Sequence, residues 1–171
     1  MWPAIAILAF VTFQRVAELA LARSNTRALL AAGGREHGAG HYPLIVAVHA
    51  AWLASLWLLA PGRPVHLPLL GLFVLLQAGR VWVIRTLGPR WTTRIIVLPA
   101  APRVTTGPFR FLSHPNYLVV VGEIAVLPLV FGLWQVALLF SLLNAAVLAI
   151  RIRAEERTLH AAEIVPGQER V

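Results

Sequence analysis

Apolar runs long enough to cross a membrane dominate this sequence. Three of them have clear ends, at Trp2–Leu21, Tyr42–Leu59 and Leu67–Leu87, and each is close to the ~20 residues that a transmembrane helix needs. A fourth run, Tyr117–Ile150, is too long for one span and breaks at Phe131–Trp134, which predicts a helical hairpin with two shorter arms. We therefore expect an all-α integral membrane protein of about five transmembrane helices, in a single domain over residues 1–171.

The composition agrees with a membrane protein and excludes several other classes. Charged residues make up 13% of the chain, against roughly 25% in an average soluble protein. The net charge is +8, but every basic residue is Arg and most flank apolar runs, so they indicate membrane topology and no nucleic-acid partner is expected. Because Cys is absent, there is no disulfide framework, thiolate nucleophile or Cys-based zinc cluster, and no metal site is predicted.

The arginines also predict the orientation of the chain. If the N-terminus lies outside, the cytosolic segments Ala22–His41, Gly88–Asn116 and the tail after Ile150 hold 11 Arg, and the outer connections hold one, Arg63. The positive-inside rule then favours an N-out, C-in topology. The first run is expected to be retained and not cleaved as a signal peptide, because no basic residue precedes it.

Polar residues occur in the cytosolic half of every predicted helix. They are Glu18, His49, Gln77, Arg80, Glu123 and Asn144. Ionisable groups at membrane depth are costly and often functional, so this asymmetry predicts a polar cavity that opens to the cytosol. The alternative is structural, with Arg15 and Glu18 neutralising each other and Asn144 hydrogen-bonding between helices. The Trp residues lie mostly at span ends and are interpreted as interfacial anchors.

Two polar segments flank the predicted hairpin. In Thr106–Tyr117 (TGPFRFLSHPNY), Gly-Pro favours a turn and His-Pro stands where a helix begins. Arg110 and His114 beside the helix N-terminus suit a carboxylate or phosphate, although an elbow whose Arg meets lipid phosphate is an open alternative. In Arg151–Leu159 (RIRAEERTL), Glu155 and Glu156 suit an ammonium group or ribose hydroxyls, unless they form only surface pairs with arginines.

Together, these two segments resemble the isoprenylcysteine carboxyl methyltransferase family of membrane enzymes. The resemblance covers about Pro99–Leu159 and implies methyl transfer from S-adenosylmethionine, with a cofactor-binding part at about residues 99–160. The residues that match the family's cofactor-binding motifs are Arg110, His114, Pro115, Asn116, Tyr117, Arg151, Glu155 and Glu156. Ser113 departs from the family, which usually has Arg there, so Arg110 or another loop arginine is expected to take its place.

The N-terminal part resembles a bacterial branch of that family, through the patterns QRxxEL from Gln14 and GAGHYP from Gly38. That branch is associated with type III polyketide synthases and O-methylates alkylpyrone or alkylresorcinol lipids. The resemblance implies an enzyme of the bacterial inner membrane, with a lipid-like small-molecule substrate and membrane lipids as its partners.

The mechanism needs few protein groups, because a sulfonium donor is already activated and the enzyme mainly aligns the reactants. If the nucleophile is a phenol, His41, His49 or Glu123 accepts its proton, and the sequence does not distinguish them. Arg80 is a candidate ligand for an anionic head group. Two alternatives remain. One is an NADPH-dependent membrane steroid or sterol reductase, since those also carry a His-Pro-Asn-Tyr elbow, and the other is a non-catalytic protein that binds anionic lipid.

Overall fold

The structure, a computed structural model, describes residues 2–37, 40, 42–98, 102 and 104–164, with side chains as far as Ala154. In these ranges the chain forms five α-helices and one short β-ribbon. The helices are α1 (Trp2–Ala31), α2 (Tyr42–Leu59), α3 (Leu67–Leu87), α4 (Pro115–Val130) and α5 (Trp134–Ile164). The strands are β1 (Arg35–His37) and β2 (Ile95–Val97), and 3₁₀ turns occupy Gly88–Arg90 and Gly107–Arg110.

The prediction of an all-α integral membrane protein is confirmed. Within the described ranges, four helices are long and apolar enough to cross a membrane, and α4 is a shorter apolar helix. The outward faces of the long helices carry exposed side chains such as Phe13, Leu58, Leu75 and Leu142, as expected where lipid takes the place of water. At 16 residues, α4 is only about 24 Å long. Half of its residues are buried, because it lies between α3 and α5.

The predicted bounds hold for α2 and α3, and the hairpin turn lies where it was predicted, but the predicted end of α1 is wrong. The hairpin turn falls between Val130 and Trp134, with Gly132 at a φ of +69°. However, α1 runs ten residues past Leu21, so half of the predicted loop Ala22–His41 is helix. Loss of apolar character marks the edge of lipid, whereas a helix ends where a breaker occurs. Here the breaker is Gly33, at a φ of +89°, after which the Gly34 N–H bonds the Leu29 carbonyl.

The β-ribbon was not predicted from the sequence. β1 and β2 pair antiparallel, with Arg35 opposite Val97 and His37 opposite Ile95. An ion pair of 2.9 Å between Arg94 and Glu36 lies at its edge. Strands of three residues are too short for their alternation to be recognised. The ribbon joins two Arg-rich connections that are about 60 residues apart in sequence, and it lies at what we call the elbow end of the bundle, where α3 ends and α4 begins.

The buried apolar side chains form two clusters. The larger one joins α1, α2, α4 and α5 through residues such as Leu8, Trp52, Leu127 and Phe140. The smaller one lies at the elbow end and consists of Ala22, Val83 and Trp91, with partly buried neighbours. This second cluster forms the base on which the candidate site rests.

Candidate active site

The segment Thr106–Tyr117, which leads into α4 and which we call the elbow, is held close to α3. Its 3₁₀ turn begins at Gly107, where φ is +58°, a conformation that favours glycine. A Cβ at this position would lie 2.5 Å from Thr86 Oγ1, so only glycine allows the turn to approach α3 this closely. Pro115 occupies the first turn of α4 and His114 is the N-cap residue, as the sequence predicted.

A cavity of about 210 Å³ opens beside this elbow. Four segments of the chain line it: the end of α3, the stretch Arg90–Val97 that includes β2, the elbow and α5. The lining residues are Leu87, Arg90, Trp91, Thr92, Arg94, Ile95, Ile96, Val97, Phe109, Ser113, His114, Pro115, Asn116, Tyr117 and Arg151. The structure thus brings the predicted residues His114, Pro115, Asn116 and Tyr117 together with Arg151, which follows them by more than 30 residues in sequence.

Arg151 ties three of these segments together. Its Nε donates a hydrogen bond of 3.0 Å to the Tyr117 hydroxyl, and its Nη1 donates one of 2.9 Å to the Thr93 carbonyl. The Tyr117 ring in turn stacks on the His114 ring, with centroids 5.1 Å apart and planes inclined by 16°. These contacts fix a cation, an aromatic hydroxyl and an imidazole on one side of the cavity, where they suit an anionic or hydroxylated ligand.

Some of the predicted donor-binding residues are not placed in this cavity. Arg110 is exposed, and its guanidinium lies 5.9 Å from the Phe111 ring, so it is not part of the lining. Arg90 and Arg94 line the cavity instead and are the loop arginines that can replace the cation missing at Ser113. The side chains of Glu155 and Glu156, and His41 as a whole, lie outside the described residues.

Four of the six residues predicted to line an intramembrane polar cavity bind one another, namely Glu18, Gln77, Arg80 and Glu123. Arg80 donates two hydrogen bonds of 2.6 Å to the Glu18 carboxylate and one of 2.9 Å to Glu123. Arg15 bonds Glu123 at 2.7 Å and Glu18 at 3.1 Å. The pairing of Arg15 with Glu18 that the sequence left open is therefore present, within a larger network that joins α1, α3 and α4.

This network changes the roles expected for Arg80 and Glu123. Both are buried, at 7% and 1% exposure. Every nitrogen of the Arg80 guanidinium donates to a carboxylate, and Gln77 bonds the second Glu123 oxygen at 2.7 Å. A group so fully engaged by protein is poorly suited to hold a substrate head group or to accept its proton. The geometry therefore favours a structural role for this pair.

Of the predicted bases in the described part of the chain, His49 keeps a ring nitrogen available. Its Nδ1 donates to the Ile45 carbonyl at 2.9 Å, which leaves Nε2 as the proton acceptor in the neutral ring. His49 is half-buried on α2 and does not belong to the lining of the elbow cavity.

The sequence reasoning missed the stretch Arg90–Arg94 as part of the site. Trp91 was interpreted as an interfacial anchor, yet it is 3% exposed and lines the cavity. The available signal was the stretch GPRWTTR from Gly88, where two arginines enclose a Trp and two Thr. The end of an apolar span does not require so many polar groups.

The fold and cavity define a class of protein, an integral membrane protein whose helix ends enclose a small cationic, partly aromatic site. The model of the isoprenylcysteine carboxyl methyltransferase (ICMT) family matches residues 69–161, more than half of the chain. The protein belongs to this family, so it is an integral membrane methyltransferase that acts on a lipid-type substrate, and methyltransferases of this family use S-adenosylmethionine as methyl donor.

A curated relative extends the similarity to the N-terminal helices. The chain is 38% identical over 158 residues to "Uncharacterized protein YpbQ" of Bacillus subtilis (strain 168), and the match covers 90% of this chain and 94% of the relative. No solved structure matches the chain.

The lining residues fit part of an S-adenosylmethionine molecule. Trp91 Nε1 and Asn116 Oδ1 are buried and lack a hydrogen-bond partner among the described residues, and each such atom costs about 1–3 kcal/mol. A ligand with ribose hydroxyls, an amino group and a carboxylate can relieve both penalties, while the nearby arginines offset its negative charge. The cavity is smaller than the ~300–1,000 Å³ of most small-molecule sites, so the described residues enclose only part of such a donor.

Proposed function

We propose that this protein is an S-adenosylmethionine-dependent O-methyltransferase of a bacterial cytoplasmic membrane, acting on a lipid-tailed substrate with an acidic hydroxyl or carboxyl group. One observation carries the proposal. The elbow and the α5 residue Arg151 meet in a single cavity, and two residues of its lining, Trp91 and Asn116, each have a buried polar atom without a hydrogen-bond partner among the described residues.

The protein side of the reaction is binding and alignment. When bound, S-adenosylmethionine supplies a methyl group that its positive sulfur already activates. Arg90, Arg94 and Arg151 are the cations that can hold its carboxylate, and bidentate pairs of Arg with a carboxylate are strong and directional. Asn116 Oδ1 accepts a hydrogen bond from an amino or hydroxyl group. In this proposal Glu155 and Glu156 close the site over the ammonium group or the ribose.

The apolar part of the lining has a separate task. Leu87, Ile95 and Phe109 face the same cavity, and side chains of this kind exclude water from the reacting centre, which strengthens every charge interaction there. Water is also a competing nucleophile. An apolar wall beside cations therefore suits a transfer in which only the lipid acceptor reaches the methyl group.

The acceptor is proposed to approach from the membrane. A long acyl tail can lie along the exposed apolar faces of the helices, with ~0.8 kcal/mol available per buried CH₂ group. A carboxylate, enolate or phenolate that is ionised at neutral pH requires no base. If the acceptor is a neutral phenol, we favour His49 over Glu123 as the base, because no hydrogen bond from a described residue engages its Nε2. We favour an alkylpyrone or alkylresorcinol over an isoprenylated cysteine as the substrate class.

The donor site is tested by binding of S-adenosylhomocysteine to the purified protein in detergent. His114→Ala and Glu156→Ala should each weaken its affinity roughly ten- to hundredfold, since a hydrogen bond to a charged group contributes about 1.5–3 kcal/mol. His66→Ala is the matched control, because His66 lies at the opposite end of α3 and should leave affinity unchanged. Unchanged affinity in both test variants would show that the site is misplaced, and protection by NADPH alone would identify a reductase.

The substrate class is tested by direct competition. The purified enzyme receives labelled donor together with an alkylpyrone, an alkylresorcinol and a farnesylated cysteine analogue. We expect label in one of the first two. Methylation of the cysteine analogue alone would leave the methyltransferase assignment intact and refute the substrate class.

A further inference from the structure

One face of α1 packs against the turn formed by residues 88–91. Glu18, Ala22 and Asn25 are spaced i, i+4 and i+7, so they lie on the same side of the helix. Ala22 is 1% exposed and Glu18 is 9% exposed, although each neighbours exposed positions of the same helix. Toward the N-terminus, α1 buries Leu8 in the larger apolar cluster. At the elbow end, the partner of its buried face is the 88–91 turn with the end of α3.

Asn25 fixes the backbone of this turn. Its side-chain amide donates hydrogen bonds to the carbonyls of Gly88, at 3.2 Å, and Trp91, at 2.8 Å. These two carbonyls stand at the two ends of the turn, so the one amide sets where the chain leaves α3 and where it enters the cavity wall.

The other two residues of the face act on the indole ring of Trp91. Ala22 and Val83 pack against it in the smaller apolar cluster. Glu18 binds Arg80 through two hydrogen bonds of 2.6 Å, and the Arg80 guanidinium lies 6.0 Å from the Trp91 ring centroid, at the outer limit of a cation–π contact. These contacts with α1 and α3 therefore restrain the position of the ring.

The restrained ring carries an unmatched polar atom. A buried Trp normally finds a partner for its N–H, yet Trp91 Nε1 has none among the described residues, and Trp91 is one of the residues that line the cavity. An N–H held unpaired in a rigid setting is preorganised for an acceptor that arrives with a ligand. The cost of leaving it unpaired favours binding of that ligand.

We infer that Trp91 is a binding residue of the methyl-donor cavity, donating from Nε1 to an oxygen or ring nitrogen of the donor, and that the Glu18–Ala22–Asn25 face of α1 positions it. This inference rests on the proposed function. It assigns a role in the site to α1, which lies outside residues 69–161, the part of the chain that matches the family model.

The test measures binding of S-adenosylhomocysteine by calorimetry for the full chain in detergent. Trp91→Phe keeps an aromatic ring and removes the N–H, and it should weaken affinity about three- to tenfold, the range of one neutral hydrogen bond. Trp57→Phe is the matched control, since Trp57 is exposed on α2 and donates only to Thr12. It should have no effect. The KM for the lipid substrate should stay unchanged in Trp91→Phe. A general loss of structure would instead raise both this KM and the dissociation constant of S-adenosylhomocysteine.

The positioning role is tested by coupling. Asn25→Leu should weaken the affinity by a similar factor in the wild-type background and add little in the Trp91→Phe background, because both changes act through one hydrogen bond. If Asn25→Leu fails to fold, Asn25→Ser, which retains one donor, replaces it with a smaller expected loss.

The outcomes separate the two claims. No binding by the wild-type protein would refute the proposed function. Binding by the wild type with unchanged affinity in Trp91→Phe would refute only the binding role of Trp91. Fully additive losses in the double variant would overturn the positioning by α1.

Discussion

Replacement of Arg80 by Met is the sharpest test of the buried charge network. Arg80 is 7% exposed and makes three hydrogen bonds of 2.6, 2.6 and 2.9 Å to two carboxylates. Met has a similar apolar stem without the guanidinium. The change therefore leaves Glu18 and Glu123 to share Arg15 as their single cationic partner in the network, and the network acquires a charge of −1 inside the bundle.

The expected loss follows from these contacts. Breaking a buried ion pair by removing one partner costs about 3–5 kcal/mol. Hydrogen bonds between membrane helices contribute ~0.6 kcal/mol on average and up to ~1.7 kcal/mol, so three of them give about 2–5 kcal/mol. Both estimates agree, and Arg80→Met should lower the free energy of unfolding by about 3–5 kcal/mol. Adding Glu18→Gln restores neutrality, because Arg15 and Glu123 then form the remaining pair, at 2.7 Å. The loss of unfolding free energy in the double variant should therefore be smaller than the summed losses of the two single variants, by about 1–3 kcal/mol.

The assay is reversible unfolding in mixed micelles with increasing denaturing detergent, followed by helical circular dichroism. Arg85→Met is the control, because Arg85 lies on the same helix and is exposed. It should change stability by less than about 0.5 kcal/mol. If Arg80→Met proves as stable as the control and instead raises the KM for the lipid substrate, Arg80 binds the head group and the structural reasoning is refuted.

Three further outcomes follow from the same contacts. A reporter fused after Val171 should be active only in its cytosolic form, because the Arg partition is 11 to one, and a periplasmic signal would refute the N-out, C-in topology. Gly107→Ala should lower the free energy of unfolding by about 1–3 kcal/mol, and adding Thr86→Ala should recover only the part due to the 2.5 Å contact; full recovery would mean that the positive φ costs nothing. Glu36→Gln should change stability by less than about 1 kcal/mol, because its pair with Arg94 is exposed, whereas Arg94→Gln should weaken binding of S-adenosylhomocysteine; equal binding by both variants would remove Arg94 from the site.

The sequence predicted the parts of the fold that depend on local signals. The bounds of α2 and α3 follow from apolar runs closed by Pro and Gly, and the hairpin turn follows from Gly132. The end of α1 was wrong because hydropathy reports contact with lipid and does not report where helical hydrogen bonding stops. The β-ribbon depends on pairing between segments far apart in sequence, and a strand of three residues is too short to be predicted from its own pattern.

The same distinction applies to the site. The elbow residues His114–Tyr117 are contiguous, so a motif could identify them. Trp91 depends on Asn25, 66 residues earlier, and its burial is a tertiary effect that makes an apparent interfacial anchor into a cavity wall. The polar residues Glu18, Arg80 and Glu123 were each recognised, but their mutual pairing was not, because it requires the relative rotation of three helices.

The relative rotation of α1, α3 and α4 connects the buried charge network to the candidate site. Two arginines and two carboxylates sum to zero charge, so the cost of burying each of them falls sharply when α1, α3 and α4 are assembled together. Arg80 and Glu123 lie on the two helices that flank the elbow, whose 107–110 turn must approach Thr86 closely, and Glu18 lies on the helix that holds the Trp91 turn. A network that fixes the mutual orientation of these three helices therefore also fixes the walls of the cavity, although none of its members lines that cavity. The geometry therefore favours a structural role for these buried charged groups, in which they support the cavity at the elbow end.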